Sequence, residues 1–511
     1  MTTADICILI AIFAYLAVMI VIGVVYSKRN KSSDDFYLGG RKLGPVVTAM
    51  SAEASDMSSW LLMGLPGLAM AGRFAEASWT AIGLAIGTYL NFLIVAKRLR
   101  RYSSRIDAFT VPDFFSKRFG DKKNILSLIS ALIIIVFFVP YTASGFSACG
   151  KLFNTLFGMD YVTAMIISAV VIVLYTTLGG FLAASTTDLI QSVVMTVALI
   201  VVLIFGINTA GGWDQVVMNI SSLKGFVSFT MTHNPAETSA EPYGALTIAS
   251  TLAWGLGYFG MPHILLRFMA IKDANKLKTS RRIAVIWVVI SMTAAILIGI
   301  VGFGVVKGGA ISELSDTERI IVAIAKLISS YGILPAIVAG IILAGILAAT
   351  MSTADSQLLA ASSSVSQNVI HDFFGIKLSE KKSMIAARIS VIVISIIAVF
   401  MCLNEKSSVF SVVSFAWAGF GAAFGPVVLF ALFWKRTNMW GALAGMITGG
   451  VMVFVWKYVV ASIFADTILN IYELLPAFIL ACAAIVVVSL ITAAPDKETT
   501  EIFDEVKAIK D

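Results

Sequence analysis

Four acidic residues of this chain stand in the middle of apolar segments: Glu53, Asp56, Asp188 and Asp355. A charge at the centre of a lipid bilayer is costly, so ionisable side chains there are candidates for binding or moving charge. The set is all acidic, and with no basic residue counted in the same stretches it points to a cation as partner. The competing reading is that each carboxyl bonds only to backbone or water inside a helical bundle. Asp56 has the most distinctive surroundings, the polar run Ser51-Ala-Glu-Ala-Ser-Asp-Met-Ser-Ser59 followed by Gly64-Leu-Pro-Gly67. The run Trp254-Gly-Leu-Gly-Tyr-Phe-Gly-Met-Pro262 repeats the interruption later in the chain. Matched glycine and proline breaks in two apolar segments mark a site built from broken helices. A third run, Ala348-Ala-Thr-Met-Ser-Thr-Ala-Asp-Ser356, is mostly small and hydroxylated. Ala349 precedes Ser352 and Thr353 by three and four residues, so one carbonyl and two hydroxyls share a helix face. A hard monovalent cation takes oxygen ligands of that kind. Hydroxyls bonded back within their own helix are the alternative.

Such residues need a membrane-spanning scaffold, and the composition supplies it. The 511 residues are 59% hydrophobic and 13% charged, with a mean hydropathy of +0.92. Soluble domains run at about 45–50% apolar and about 25% charged. That charge deficit excludes a soluble enzyme, disorder, collagen and coiled coil. Long unbroken apolar runs, rather than alternation, exclude a β-barrel. An all-α polytopic membrane protein remains, with about thirteen spans: 6–26, 45–70, 74–96, 124–150, 159–182, 185–208, 243–266, 283–306, 333–370, 384–403, 407–433, 439–462 and 468–493. The first run is too long, and too poor in preceding basic residues, for a signal peptide. The interrupted second and seventh spans lie five apart, which fits two five-helix units. An odd number of helices inverts the second unit relative to the first.

Of the 37 basic residues, 29 fall on one side of this layout. The bias predicts an N-terminus outside and a C-terminus in the cytoplasm, and it reads as a topology signal rather than a nucleic-acid patch. Residues 319–331, in an outer connection, read as a short surface helix or an external gate. Cys7, Cys149, Cys402 and Cys482 show no metal-like spacing. His233, His263 and His371 lie in unrelated segments, and no HExxH, nucleophile elbow or P-loop accompanies them. Nothing resembles a carbonyl-lined channel filter such as TVGYG. The tail after Pro495 is too short for a catalytic or signalling domain.

The motifs Gly39-Gly-Arg-Lys-Leu-Gly-Pro45, Ser51 to Trp60, Trp254 to His263 and Met351-Ser-Thr353 closely resemble the sodium/solute symporter family. Within it the chain is most similar to the sodium/proline symporters, in order, from the first span to the last. The resemblance implies a LeuT-type 5+5 inverted repeat within one transporter domain, 1–494. The repeats would be 45–208 and 243–433, flanked by helices 6–26, 439–462 and 468–493, with a charged cytoplasmic tail at 495–511. It implies sodium coordination by Ala54, Met57, Ala349, Ser352 and Thr353, with Asp56 supporting that site. It implies a proline pocket of Tyr141, Trp254, Tyr258 and Pro262, with Ser58 and Gly64 close by. Arg41 and Asp188 would act on coupling or gating from further out. Glu53 and Ser59 stand where the family pattern has glycine, which bears on the fine geometry beside Asp56. The implied activity is sodium-coupled import of L-proline in a cell membrane. Sodium is the coupling ion, and no cofactor and no nucleic acid are involved. The alternative is the same fold importing another small solute, such as an osmoprotectant or pantothenate. Oligomeric state is left open.

Overall fold

The computed structural model describes residues 2–27, 37–234, 237–376, 378–405, 408–465 and 467–509. Lys28, Arg29, Lys31, Lys377, Lys406 and Lys510, all counted in the charge bias, lie outside the described residues. Ten described helices are long and apolar enough to cross a membrane. Three shorter apolar helices, Trp60–Met70, Tyr161–Leu174 and Ala245–Phe259, fall within the remaining expected spans.

The chain opens with α1 (Thr3–Ser27), then α2 (Pro45–Ala54) and α3 (Trp60–Met70), which together form one interrupted span. Next come α4 (Phe74–Arg105), a short α5 (Val111–Arg118) and α6 (Ile125–Phe157). Helices α7 (Tyr161–Leu174) and α8 (Gly180–Thr209) meet at Gly180, whose φ of 69° bends a path that otherwise runs on as one helix. After α9 (Trp213–Ser221), strands β1 (Met231–Asn234) and β2 (Ser239–Pro242) form an antiparallel hairpin, Met231 opposite Pro242. It is seated on the start of α4, where Trp79 Nε1 donates to Phe229 O at 2.7 Å.

The second interrupted span is α10 (Ala245–Leu252), a tight turn over Ala253–Phe259, and α11 (Pro262–Ala270). It is followed by α12 (Leu277–Lys307), α13 (Ile320–Ser329) and α14 (Ile333–Ser363), whose path continues to Phe373. Helix α13 fills the stretch read as a short surface helix or an external gate, and most of its residues are buried against neighbouring helices. The last elements are α15 (Glu380–Met401), α16 (Val409–Phe433), α17 (Met439–Val455), α18 (Leu474–Ile491) and α19 (Lys497–Ala508).

Burial separates these helices by role. Nearly all of α3, α11 and the middle of α14 is shielded from the surroundings, whereas α1 exposes Ile10, Phe13 and Val21. In lipid an exposed apolar side chain costs nothing, so outer helices stay apolar all round and polarity collects inside. Helix α14 packs against α1, the α7–α8 pair and α6, which places its hydroxylated middle at the centre of the bundle.

One end of the bundle carries most of the arginines. There Arg41 donates to the carbonyls of Met269 at 2.8 Å and Ala108 at 2.6 Å. Leu43 and Ile271 pair as a single parallel bridge, and Arg100 donates to Ile271 O at 2.6 Å. These bonds tie the chain before α2 to the chain after α11. Helix α19 docks on the same end, starting at Asp496, whose carboxylate accepts from Thr499 N at 2.8 Å. That hydrogen bonding, from the Thr499 hydroxyl and amide, also holds the Asp496 carboxyl below its usual range.

Candidate functional site

The first interruption follows from local chemistry. Serine and aspartate compete with helix hydrogen bonds through their side chains, and Ser55 to Ser59 contains four of them. Helix α2 therefore stops at Ala54, the Met57 amide still reaches Glu53 O at 2.8 Å, and α3 restarts as a wide turn over Trp60–Gly64. The break turns two carbonyls toward side chains, Asp56 O while still accepting from Ser58 N at 2.8 Å. Ala54 O accepts from Ser352 Oγ at 2.8 Å. Asp56 O accepts from Tyr141 Oη at 2.8 Å and from Trp60 Nε1 at 3.1 Å.

The Ser352 hydroxyl also lies 3.1 Å from Ala349 O. Three of the five residues expected around an ion thus converge from α2 and α14 on one point. Thr353 adds a buried hydroxyl with no hydrogen-bond partner, and Met57 is fully buried in the interrupted segment. The Ala54 and Ala349 carbonyls, the Ser352 hydroxyl and the orphaned hydroxyl of the next residue offer oxygen donors only, of the kind a small hard cation takes. Asp56 lies outside that point of convergence: its Oδ2 accepts from Tyr258 Oη at 2.7 Å and its Oδ1 has no partner.

The aromatic residues gather in one stack. Trp254 lies parallel to Tyr472 at 5.2 Å between ring centres and packs on Phe410 at 5.4 Å and Trp60 at 6.0 Å. Trp417 Nε1 donates to Trp254 O at 2.7 Å, and its ring meets Tyr258 edge-on at 5.1 Å. The close approach depends on Gly257, where a Cβ would sit 1.9 Å from Trp417 Nε1. Gly64 faces Phe410, and both line a cavity of about 630 Å³ at the end opposite the arginine-rich one, with Arg73, Lys151 and Arg319 also in its wall. Ser58 is buried, its hydroxyl 3.4 Å from the Trp60 amide. Pro262 opens α11 at the first helical position, where its missing N–H does no harm. His263 beside it is fully buried with neither ring nitrogen hydrogen-bonded.

One expectation is overturned. The acidic set has a basic partner: Arg267 lies 3.1 Å from Asp188 Oδ2, both buried. Arg267 also donates to Ser51 Oγ at 2.9 Å, His263 O at 2.9 Å and Ser356 Oγ at 2.6 Å. The apolar run stops at Leu266 and predicts a loop at Arg267, but α11 continues to Ala270 and carries Arg267 into the interior. Arg41 is not drawn to this region; it stays at the arginine-rich end.

Sequence reasoning also missed Trp417, Tyr472 and Asn91, whose amide donates to Tyr258 O at 2.9 Å. Each sits in an apolar span with no motif, so only packing reveals it. At the cavity mouth, Lys151 bridges Asp316 and Glu318 at 2.8 Å each, and Glu318 accepts the Val409 and Phe410 amides at 3.1 Å. A carboxylate at the N-terminus of α16 suits the helix dipole.

Comparison with known proteins places this geometry. The family model for the sodium:solute symporter family matches residues 36–449. The chain is 41% identical over 498 residues to the osmoregulated proline transporter OpuE of Bacillus subtilis, covering 97% of each. It is 43% identical to a sodium/proline symporter of Haemophilus influenzae, over 98% of each chain. Among solved structures, a Na+-coupled sialic acid symporter in a substrate-bound outward-open state superposes with a TM-score of 0.78 at 18% identity, over 96% of this chain and 98% of that one. Mhp1, a nucleobase-cation-symport-1 family transporter, follows at 0.53 and 14% identity, over 93% and 99%. The fold is the LeuT type, in an integral membrane protein that is a transporter and not an enzyme. The chain belongs to the sodium:solute symporter family.

Proposed function

We propose that this protein imports L-proline together with sodium by alternating access. Its N-terminus and the 630 Å³ cavity lie outside the cell, and the arginine-rich end lies in the cytoplasm. The observation that carries the ion part is the Ser352 hydroxyl held between Ala54 O and Ala349 O, with Thr353 unpartnered beside it. In this reading Ala54, Met57, Ala349, Ser352 and Thr353 coordinate sodium, and Asp56 supports the site. The proline part is supported by full-length relatives named for proline transport and by the aromatic stack. Trp254, Tyr258 and Tyr141 offer ring surface and hydroxyls to a compact zwitterion with an apolar ring, with Pro262, Ser58 and Gly64 completing the pocket. Asp188, held by Arg267, and Arg41 at the cytoplasmic closure act on coupling from further out.

Coupling sets an energetic scale. One positive charge crossing 100 mV is worth about 2.3 kcal/mol. A tenfold sodium gradient adds about 1.4 kcal/mol. Together one ion per proline sustains an accumulation of roughly 500-fold. Vesicles with a sodium gradient and an inside-negative potential should concentrate labelled proline, and a sodium ionophore should release it. Simple equilibration of proline would reject the coupling. Excess unlabelled osmoprotectant or pantothenate should leave proline uptake intact; full competition by either would reassign the solute.

A further inference from the structure

The arginine-rich end holds a cavity of about 820 Å³ that shares no residue with the aromatic stack or with the point of convergence at Ser352. Its size is within the range of about 300–1,000 Å³ typical of ligand pockets. Five basic side chains line it, Arg100, Arg101 and Arg105 from α4 and Lys272 and Lys276 from the turn before α12, against one carboxylate, Asp273. That carboxylate is engaged locally, accepting the Asn275 amide at 2.9 Å. Glu505 of α19 offsets Arg105, with Oε2 2.8 Å from Nε, and Arg101 donates to Ile509 O at 2.9 Å. Among the described residues Arg100, Lys272 and Lys276 have no carboxylate within 4.0 Å. The wall therefore carries a surplus of positive charge that the chain does not neutralise.

The position narrows what that charge could hold. Arg100 donates to the Ile271 carbonyl at 2.6 Å and to the Ser104 hydroxyl, both neutral acceptors, so its guanidinium is fixed in place with its charge uncompensated. Leu43, Gly44 and Pro45 complete the wall on the α2 side, beside the Leu43–Ile271 bridge. The cavity thus sits where the two interrupted spans are tied at this end. Exposed apolar surface adjoins it: Val46 follows Pro45, Leu93 precedes Arg100 by seven residues on α4, and Ile286 follows Lys276 by ten on the path into α12. Leu93 and Ile286 are about two to three helical turns from the basic wall. Basic pockets between membrane helices are a recurrent setting for acidic lipid headgroups.

We propose that this cavity binds a phosphoryl anion, supplied by the headgroup of an acidic membrane lipid or by free phosphate. Arginine forks match phosphate oxygens in pairs, and the two lysines add point charges from the turn before α12. The adjoining apolar residues favour the lipid: acyl chains leaving the cavity have Val46, Leu93 and Ile286 to lie on, and free phosphate makes no use of them. An anion held there joins α4 to the chain after α11. Its placement on the cytoplasmic side rests on the reading above that the arginine-rich end faces the cytoplasm.

The test titrates the delipidated full-length protein in detergent with dioleoyl phosphatidylglycerol, with zwitterionic dioleoyl phosphatidylcholine and with inorganic phosphate, counting bound molecules by native mass spectrometry. The wild type should retain a single phosphatidylglycerol more tightly than phosphatidylcholine. Lys272→Gln combined with Lys276→Gln, both at exposed positions, should weaken that binding roughly tenfold or more. Lys278→Gln combined with Arg282→Gln removes the same charge from exposed positions of α12 outside the cavity wall and should leave binding unchanged. Phosphatidylglycerol should also raise the unfolding temperature of the wild type and of this control more than that of the cavity variant. Displacement of the lipid by inorganic phosphate, with the same loss in the cavity variant, supports the site and makes free phosphate its ligand; lipid binding that phosphate does not disturb supports the site and makes the lipid its ligand. Equal weakening in both double variants, equal retention of the two lipids, or no binding of either phosphoryl probe overturns the proposal. If the cavity variant does not accumulate, Lys276→Gln alone is compared with Lys278→Gln, and equal affinities overturn it likewise. These measurements involve neither transport nor sidedness, so a wrong orientation leaves them intact, and the reactivity of Lys435→Cys from each side of the membrane exposes that failure separately.

Discussion

The hydroxyl of Ser352 reaches across the bundle to the carbonyl of Ala54, 298 residues away in sequence, at 2.8 Å. It does so because α2 ends at Ala54 and leaves that carbonyl without an amide partner. In the proposed cycle a cation replaces this hydrogen bond and draws α14 and the first interrupted span together.

Removing the hydroxyls should therefore act on the ion. In Ser352→Ala or Thr353→Ala the apparent sodium constant for uptake should rise by roughly tenfold or more, since a contact worth about 1.4 kcal/mol is a factor of ten. Sodium titrations of proline uptake measure this, and Cys402→Ala, whose thiol bonds only to Val399 O, is the control. Unchanged sodium activation in both variants rejects the assignment.

Trp254 should report on the solute. Its ring is enclosed by Tyr472, Phe410, Trp60 and Trp417 and has no contact with Ser352 or Thr353 among its aromatic and hydrogen-bond partners. Trp254→Ala should raise the apparent proline constant more than the sodium constant. Deleting a buried tryptophan costs about 3–5 kcal/mol of stability, so membrane levels must be compared first. The reverse order of effects means the pocket is misplaced.

The Arg267–Asp188 pair should be the stronger of two contrasting ion pairs. Breaking a buried, hydrogen-bonded pair from one side costs about 3–5 kcal/mol. The exposed Arg105–Glu505 pair, at 51% and 54% exposure, contributes about 0–1 kcal/mol at most. Thermal unfolding in detergent should show a large drop for Asp188→Asn and almost none for Glu505→Ala. Equal drops contradict the buried network.

Orientation can be read by labelling. A cysteine at Glu237 in the hairpin should react with an impermeant reagent added outside, and one at Lys435 only after permeabilisation. Lys435 is chosen because its side chain is exposed, whereas Thr437 nearby is fully buried and would resist the reagent on either side. Equal reactivity of both positions rejects the proposed topology.

What the chain reveals by itself is what depends on neighbours along it. An apolar run long enough to span lipid is a one-dimensional property, so α1, α6, α12 and α14 are legible, and so are the interruptions at Ser55–Ser59 and near Gly260, where helix-breaking residues cluster. The family, too, is legible from its motifs. Tertiary structure decided which side chains meet. Arg267 follows an apolar run and reads as a loop residue, because length alone does not tell where a helix ends once other helices shield its charge. Trp417 and Tyr472 look like any packing aromatic until α16 and the chain before α18 bring them to Trp254. Glu53 and Asp56 share a hydroxyl only because α10 gives way to a tight turn that swings Tyr258 toward them. Such meetings are set by close packing between helices hundreds of residues apart, where a side chain's partner is fixed by shape and by the need to satisfy every buried polar atom.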